Sequence, residues 1–255
     1  MKSLISLFVF SCLFTIQVGA WGLTGHRVVG EVASNHLSER AAKRINAIIG
    51  NESLAVVSNW MDEIKSDPTR DSLKAWHYAT IPKGKTYAET NVSPKGDVIA
   101  GIHFVVQQLK TGKLNQEEER NFIAMLAHLV GDLHQPLHVG NGKDRGGNKV
   151  YLNWFGRSSN LHQIWDSKMI DSKAYSYTEL TAIVDHANEE EVGLLQMGTV
   201  EKWAQENVSL RESIYDVPEG KYWEYRYQYA QWDTVKNQLK KGGIRLAGLL
   251  NEIYG

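Results

Sequence analysis

The sequence predicts a single all-α domain, and three observations carry that prediction. Apolar residues recur at helical intervals along most of the 255 residues. Capping residues stand just ahead of these runs, and neither a repeat of about 20 to 50 residues nor a low-complexity linker divides the chain. The composition, 42% hydrophobic and 22% charged, is that of an ordinary globular protein and excludes disordered and collagen-like chains.

The first element is not part of the fold. Met1-Lys2-Ser3, the apolar run Leu4 to Ile16 and the small residues Val18-Gly19-Ala20 predict a secretory signal over residues 1–20, cut after Ala20. A membrane span would need about 20 apolar residues, and Ser11, Cys12 and Gln17 interrupt the run. A lipid anchor on Cys12 is disfavoured by Phe10, which stands where lipoprotein signals have a smaller residue. Residues 21–255 then form the folded domain, and the processed protein is expected to be secreted or periplasmic and monomeric.

Within it, Thr24 is expected to open a helix carrying Val28, Val29, Val32 and Leu37. Ser38 caps a second through Ile45, Ile48 and Ile49 that stops at Gly50, and Ser53 begins a third with Leu54, Val57, Trp60, Met61 and Ile64. Val98 to Leu109 repeats the pattern, and Asn115 with Glu118 forms a capping box ahead of Phe122, Ile123, Leu126 and Leu129. Further helices are expected over 161–170, 180–186, 200–215 and 222–254, the last kinked near Gly242-Gly243. The stretches 76–96 and 139–160, rich in Gly, Pro, Asn and Lys, read as long loops with at most a minor β-hairpin around Val150-Tyr151-Leu152. Function is expected in these loops.

Charge and cysteine content narrow the classes. Lys and Arg number 28 against 29 Asp and Glu, and loss of Lys2 leaves 27 against 29, a formal charge of −2. A nucleic-acid binder working through a broad basic surface is excluded, so any grip on phosphate must be local. Eight Trp and eleven Tyr suit a core or a stacking surface equally. Cys12 is the only cysteine and leaves with the signal, so an exported chain has neither disulfide nor thiol, and metal or a large core must hold it together. Sequons begin at Asn51, Asn91 and Asn207 and matter only in a glycosylating host.

Chemistry is signalled by spacing. His128 and Asp132 stand four apart in a strongly helical run, which puts imidazole and carboxylate on one face within reach of one ion. The spacing returns at His162 and Asp166, and His138 follows just past Pro136. Either pair alone is as well explained by a hydrogen-bonded core histidine and a solvated aspartate. Together, in a chain offering nitrogen and oxygen donors but no thiol, they favour zinc, while calcium wants about six oxygens and no imidazole.

These residues belong to a longer series. Trp21-Gly22-x-x-Gly25-His26, Trp60-x-Asp62 with Lys65 behind it, and Trp76-His77-Tyr78 come first. The block Ala127-His128-Leu129-Val130-Gly131-Asp132-Leu133-His134-Gln135-Pro136-Leu137-His138 follows, then Gly146-Gly147-Asn148 and Asn160-Leu161-His162-x-x-Trp165-Asp166. In order and spacing the series resembles the zinc-dependent S1/P1 nuclease family, from Trp21 as far as the C-terminal Gly243-x-Arg245-Leu246-Ala247-x-x-Leu250-Asn251, and the catalytic domain it implies spans residues 21–255. The resemblance implies the all-α fold shared by that family and zinc-dependent phospholipase C, and a site of three Zn2+ ions. One would be held by Asp62, His77, His128 and Asp132; a close neighbour by the α-amino nitrogen and carbonyl oxygen of Trp21, by His26 and by a bridging Asp132; a third by His138, His162 and Asp166. Trp21, His26, Asp62 and His77 enter only through the resemblance.

It further implies hydrolysis of single-stranded DNA and RNA to 5′-phosphate products, with a 3′-nucleotidase activity beside it. Clustered zinc suits that reaction because the anionic ester needs its charge neutralised and water made acidic at neutral pH. Asp62 would orient the water and accept its proton, and Lys65 would face the phosphate. Tyr78 would stack on an unpaired base, and Asn148 would hydrogen-bond phosphate or base. Tyr78 also reads as a core tyrosine and Asn148 as a turn residue. Fungal members carry Arg where Lys65 stands, which removes a bidentate fork, and a base-reading Asp where Thr80 stands; their disulfides are absent too.

Two other functions compete. A zinc-dependent phospholipase C uses a similar metal arrangement on lipid headgroups, but that group ends its last pair in Glu where this chain has Asp166. A binding protein without turnover is the other, although structural zinc usually has four protein ligands and no open position. No stable membrane association is expected. His36, His103, His134 and His186 match no ligand position, Trp60, Trp76 and Trp165 pack behind ligands, and Lys240-Lys241 reads as a solvated face.

Overall fold

The computed structural model describes residues 21–255, and the signal expected over residues 1–20 lies outside the described residues. Helices α1 (Leu23–Asn35) and α2 (Glu39–Ile49) lead to two single turns, α3 (Leu54–Val57) and α4 (Trp60–Glu63), and to a 3-10 segment, Pro68–His77. After a loop come α5 (Val98–Lys110) and α6 (Gln116–Leu133). Irregular chain then leads through α7 (Leu161–Gln163), a π-turn at Ile164–Lys168 and α8 (Met169–Asp171). Helices α9 (Tyr177–Val184), α10 (Glu189–Gln196), α11 (Val200–Tyr215) and α12 (Trp223–Tyr254) complete the chain. Strands β1 (Ala79–Thr80) and β2 (Val139–Gly140) form a parallel bridge, and β3 (Tyr151–Trp154) with β4 (Arg157–Asn160) forms the expected hairpin. This is the mainly helical domain the sequence predicts. Among the described residues no helix is long and apolar enough to cross a membrane.

Local chemistry explains where the helices start. Ser38 Oγ accepts the Ala41 amide at 3.2 Å, and Ser53 Oγ that of Val56 at 3.3 Å. At α6 the capping box is complete: Asn115 Oδ1 accepts from Glu118 N at 2.9 Å, and Glu118 Oε2 from Asn115 N at 3.0 Å. Each bond satisfies an amide that helix geometry leaves open. Glu117, Glu118 and Glu119 also face the positive end of the helix dipole. From Ile123 to Leu133 every residue of α6 is buried, so this helix runs through the centre, packed by α5, α1 and α12. Its negative end therefore finishes inside the protein, close to Asp132.

The structure departs from sequence expectation in several places. Helix α1 begins at Leu23 with Gly22 as its cap, so Thr24 lies inside it; Gly22 N is held instead by the Asp166 carbonyl at 2.6 Å. The helix expected from Ser53 breaks into α3 and α4 because the Ser58 carbonyl accepts a bond from His128 Nδ1 at 2.7 Å. Helix α10 falls where no helix was expected, with Asn188 Oδ1 capping it through the Glu191 amide. Lys240 and Lys241 are ion-paired with Glu191 and Glu206 and tie α12 to α10 and α11. Asn207 is fully buried and donates to the Leu133 carbonyl, so its sequon is closed in the folded protein.

The largest departure concerns Gly242-Gly243, where α12 runs unbroken. A Cβ on Gly243 would lie 2.4 Å from Val32 Cβ, and one on Gly242 3.2 Å from Val29 Cγ2. The glycines serve the close crossing of α12 over α1. Gly243→Ala is therefore expected to destabilise the fold by about 1–3 kcal/mol through overpacking, measured as a lower urea midpoint with unchanged slope. An unchanged midpoint would mean that the two helices separate freely.

Candidate metal centre

Seven structural elements deliver eight histidine and aspartate side chains to one region. His26 comes from the buried face of α1, Asp62 from α4, and His77 from the last residue of the 3-10 segment. His128 and Asp132 come from α6, His138 from the turn Pro136–His138, His162 from α7 and Asp166 from the π-turn. All are buried except Asp62, which is partly so. They form three groups with the spacing and donor type to hold metal: His26, Asp62 and His128; His77, His128 and Asp132; and His138, His162 and Asp166. The third is the set expected from sequence. The first two share His128 and differ from the expected partition by grouping His26 with Asp62.

Asp132 is the hub. Its Oδ2 lies 2.9 Å from His77 Nδ1 and 3.2 Å from His128 Nε2, and its Oδ1 lies 3.4 Å from His26 Nε2 and 3.5 Å from His138 Nδ1. His128 Nε2 is also 3.7 Å from Asp62 Oδ1. In the third group His162 Nε2 and His138 Nε2 lie 3.2 and 3.6 Å from the two Asp166 oxygens. The rings of His26 and His128 stack at 4.0 Å, those of His138 and His162 at 5.0 Å.

Second partners aim these rings. His128 Nδ1 donates to the Ser58 carbonyl, His138 Nδ1 to the His77 carbonyl at 2.6 Å, and His162 Nδ1 to the Gly146 carbonyl at 2.7 Å. Each bond fixes the ring so that Nε2 is turned toward its group, as metal-ligating histidines require. Gln135 donates to Asp166 Oδ1. A Cβ on Gly131 would stand 2.7 Å from His26 Nδ1, so only glycine admits that ring.

Burial sets the charge states. It lowers the His26 pKa to about 4, helped by His128, and the His77 pKa to about 4. Burial disfavours charge on Asp132, yet His128 and His138 hold its carboxyl well below the usual range. For His138 burial is outweighed by Asp132 and Asp166, and the pKa rises to about 9. Asp62 is lowered against burial by His128 and by Lys65, its ion-pair partner. His26 and His77 are thus neutral imidazoles beside ionised carboxylates, the donor state a cation needs, whereas His138 must give up its proton to reach that state.

The residues fit a metal. Both ring nitrogens of His26, Oδ1 of Asp132 and Nε2 of His138 are buried without a hydrogen bond. Buried polar atoms in such number are costly unless something satisfies them, and a cation among nitrogen and oxygen donors does so. Trp21 is fully buried beside the groups, and the neighbouring Gly22 amide is bonded to the Asp166 carbonyl.

A cleft opens onto the groups, lined by Lys65, Tyr78, Thr80, Arg145 and Asn148 among others. Tyr78 is 53% exposed, which removes the reading of it as a core residue. Asn148 Nδ2 closes a turn on the Arg145 carbonyl at 2.9 Å, leaving its second N–H and its oxygen for a ligand. Trp165 is fully buried and its Nε1 donates to Tyr227 Oη at 2.8 Å. His134 is buried and bonded to Val130 and Arg245, away from the groups. Sequence reasoning missed Arg145, Gln135 and the Ser58 carbonyl; only the Gln135-Pro136 between two ligand candidates offered a signal.

Fold and site together define a mainly helical domain with a candidate metal centre in a cleft, and comparison with known proteins gives it a family. The family model described as S1/P1 Nuclease matches residues 21–255. Endonuclease 3 of Arabidopsis thaliana is 31% identical over 92% of this chain and 89% of its own length. Nuclease P1 of Penicillium citrinum is 27% identical over 92% and 98%, and Nuclease S1 of Aspergillus oryzae 28% identical over 62% and 57%. The chain belongs to the S1/P1 nuclease family.

Proposed function

We propose that the protein is an exported, monomeric, zinc-dependent nuclease that hydrolyses single-stranded DNA and RNA to 5′-phosphate products and also removes 3′-phosphates from nucleotides. The observation that carries this reading is the convergence of eight imidazole and carboxylate side chains, centred on Asp132, at the floor of a cleft with an exposed tyrosine. Asp62, His77, His128 and Asp132 would hold one ion; Trp21 through its terminal amine and carbonyl, His26 and Asp132 a second; His138, His162 and Asp166 a third. When bound, zinc neutralises charge on a phosphodiester and makes water acidic at neutral pH.

The chain's own groups do the rest. Asp62, partly exposed and ionised, accepts a proton from the attacking water. Lys65, held by Asp62, adds positive charge at the phosphate. Tyr78 stacks on an unpaired base, and Asn148 donates to phosphate or base. The positive charge sits inside the site, which reconciles a slightly acidic protein with a polyanionic substrate.

The test is cleavage of single-stranded oligonucleotides by the processed protein, with zinc analysis, beside phosphatidylcholine hydrolysis. Expected are 5′-phosphorylated fragments and no lipid product; lipid hydrolysis alone would favour a phospholipase, and zinc binding without either activity a scavenger. A variant with one extra residue before Trp21 should lose zinc and activity, because a peptide nitrogen cannot replace the terminal amine.

Metal uptake also carries a proton signature. His138, with a pKa of about 9, is protonated at neutral pH without metal and must be neutral to bind it. Zinc binding at pH 7 should therefore release a proton, and affinity should rise with pH until about 9. Calorimetry in buffers of different ionisation enthalpy measures this; a buffer-independent heat would contradict it.

A further inference from the structure

The loop beside the third group holds three consecutive residues in the left-handed region: Arg145 at φ 58°, Gly146 at 62° and Gly147 at 81°. Glycine adopts this conformation freely, but a residue with a Cβ does so only when its surroundings impose it. The imposing bonds are clear. Gly147 N donates to Asp144 Oδ1 at 3.0 Å, Lys149 N to the Asp144 carbonyl at 3.0 Å, and Asn148 Nδ2 to the Arg145 carbonyl at 2.9 Å. The Gly146 carbonyl is fixed by His162 Nδ1. A Cβ on Gly146 would strike the Leu137 carbonyl at 2.3 Å, so the loop cannot slide.

This construction leaves Arg145 exposed at the wall of the cleft. Asp144, the acid next to it, is engaged by Gly147, Tyr215 and Asn141. Among the described residues Arg145 forms no ion pair with a carboxylate. The protein thus keeps a strained backbone that holds an uncompensated guanidinium beside its site. Arginine, with five donors in a planar fork, is suited to a phosphate.

The position decides which phosphate. A phosphate being cut belongs at the three groups, where Lys65 is already held by Asp62. Arg145 stands one residue outside them, with the Gly146 backbone between it and His162. A single nucleotide bearing one phosphate has nothing more to offer there, whereas a strand has its next phosphate.

We propose that Arg145 grips the phosphate adjacent to the one being hydrolysed and so makes the cleft prefer a polynucleotide over a mononucleotide. The inference rests on the nuclease reading given above. It is tested on the processed, zinc-loaded protein with two substrates, a short single-stranded oligodeoxynucleotide and a nucleoside 3′-monophosphate. Arg145→Gly is the informative variant, because glycine keeps the left-handed turn while removing the charge.

The expected result is a loss of about tenfold in kcat/KM on the oligonucleotide, appearing in KM, with less than about a twofold change on the mononucleotide. The salt dependence of oligonucleotide binding should fall by about 0.7 in log–log slope, the value for one lost contact to a single strand. Arg145→Lys should restore that slope but only part of the affinity, since the fork is gone. An equal loss on both substrates, no change on either, or reduced zinc content in the glycine variant would overturn the proposal. Wild-type protein that cuts neither substrate would instead bring down the nuclease reading, and this inference with it.

Discussion

Asp132→Asn is expected to lower single-strand cleavage by at least about 10³-fold, because losing several kcal/mol of metal-dependent charge stabilisation costs a factor of ten for every 1.36 kcal/mol. The carboxylate stands 2.9 to 3.5 Å from nitrogens of His26, His77, His128 and His138. An amide is nearly isosteric, but it carries no charge and turns an N–H toward imidazoles whose lone pairs need a cation. The effect should therefore appear as lost zinc in the two groups around His128, with the third group, built on Asp166, still loading. Elemental analysis and cleavage kinetics read both. A variant retaining all its zinc and activity within tenfold of wild type would show that Asp132 is not the shared ligand.

Chelation should have the second large effect. An ion present at about 1,000 times its dissociation constant stabilises the folded state by about 4.1 kcal/mol, and each kcal/mol moves the melting temperature of a domain this size by about 2–4 °C. Removal of zinc should thus lower the melting temperature by roughly 8–16 °C per ion. The structural reason is that the three groups draw their side chains from α1, α4, the 3-10 segment, α6 and the chain from His138 to Asp166, so ions held there would tie these segments to one another. No cysteine stands beyond residue 12, so no disulfide shares this work. His162→Ala, which dismantles only the third group, should give about one ion's share of the drop. A melting curve indifferent to chelator would mean that the apolar core alone holds these segments.

The parts of the structure that were legible in the sequence are the parts governed by near neighbours. The capping box of Asn115 and Glu118 and the caps at Ser38 and Ser53 act within three residues, so their signatures survive in a bare sequence. His128 with Asp132 and His162 with Asp166 were visible for the same reason, since one helical turn sets their separation. His26, Asp62 and His77 each stand alone on their elements, and only packing brings them to Asp132; resemblance could point to them, spacing could not. The break between α3 and α4 answers to His128, 70 residues away. Gly242-Gly243 looked like a kink because close helix crossing and helix breaking ask for the same residue. Arg145 was hidden because its strain arises in bonds to Asn148 and in the neighbouring tie between Gly146 and His162.

The two-residue bridge between β1 and β2 pairs Ala79 with Val139 and Thr80 with Gly140. It follows His138 directly and His77 after one residue, Tyr78, and His138 Nδ1 donates to the His77 carbonyl. Main chain therefore adds its own caliper between the group of His77 and the group of His138. Exchanging one divalent cation for another should change how fast the protein turns over while leaving the choice of scissile bond intact.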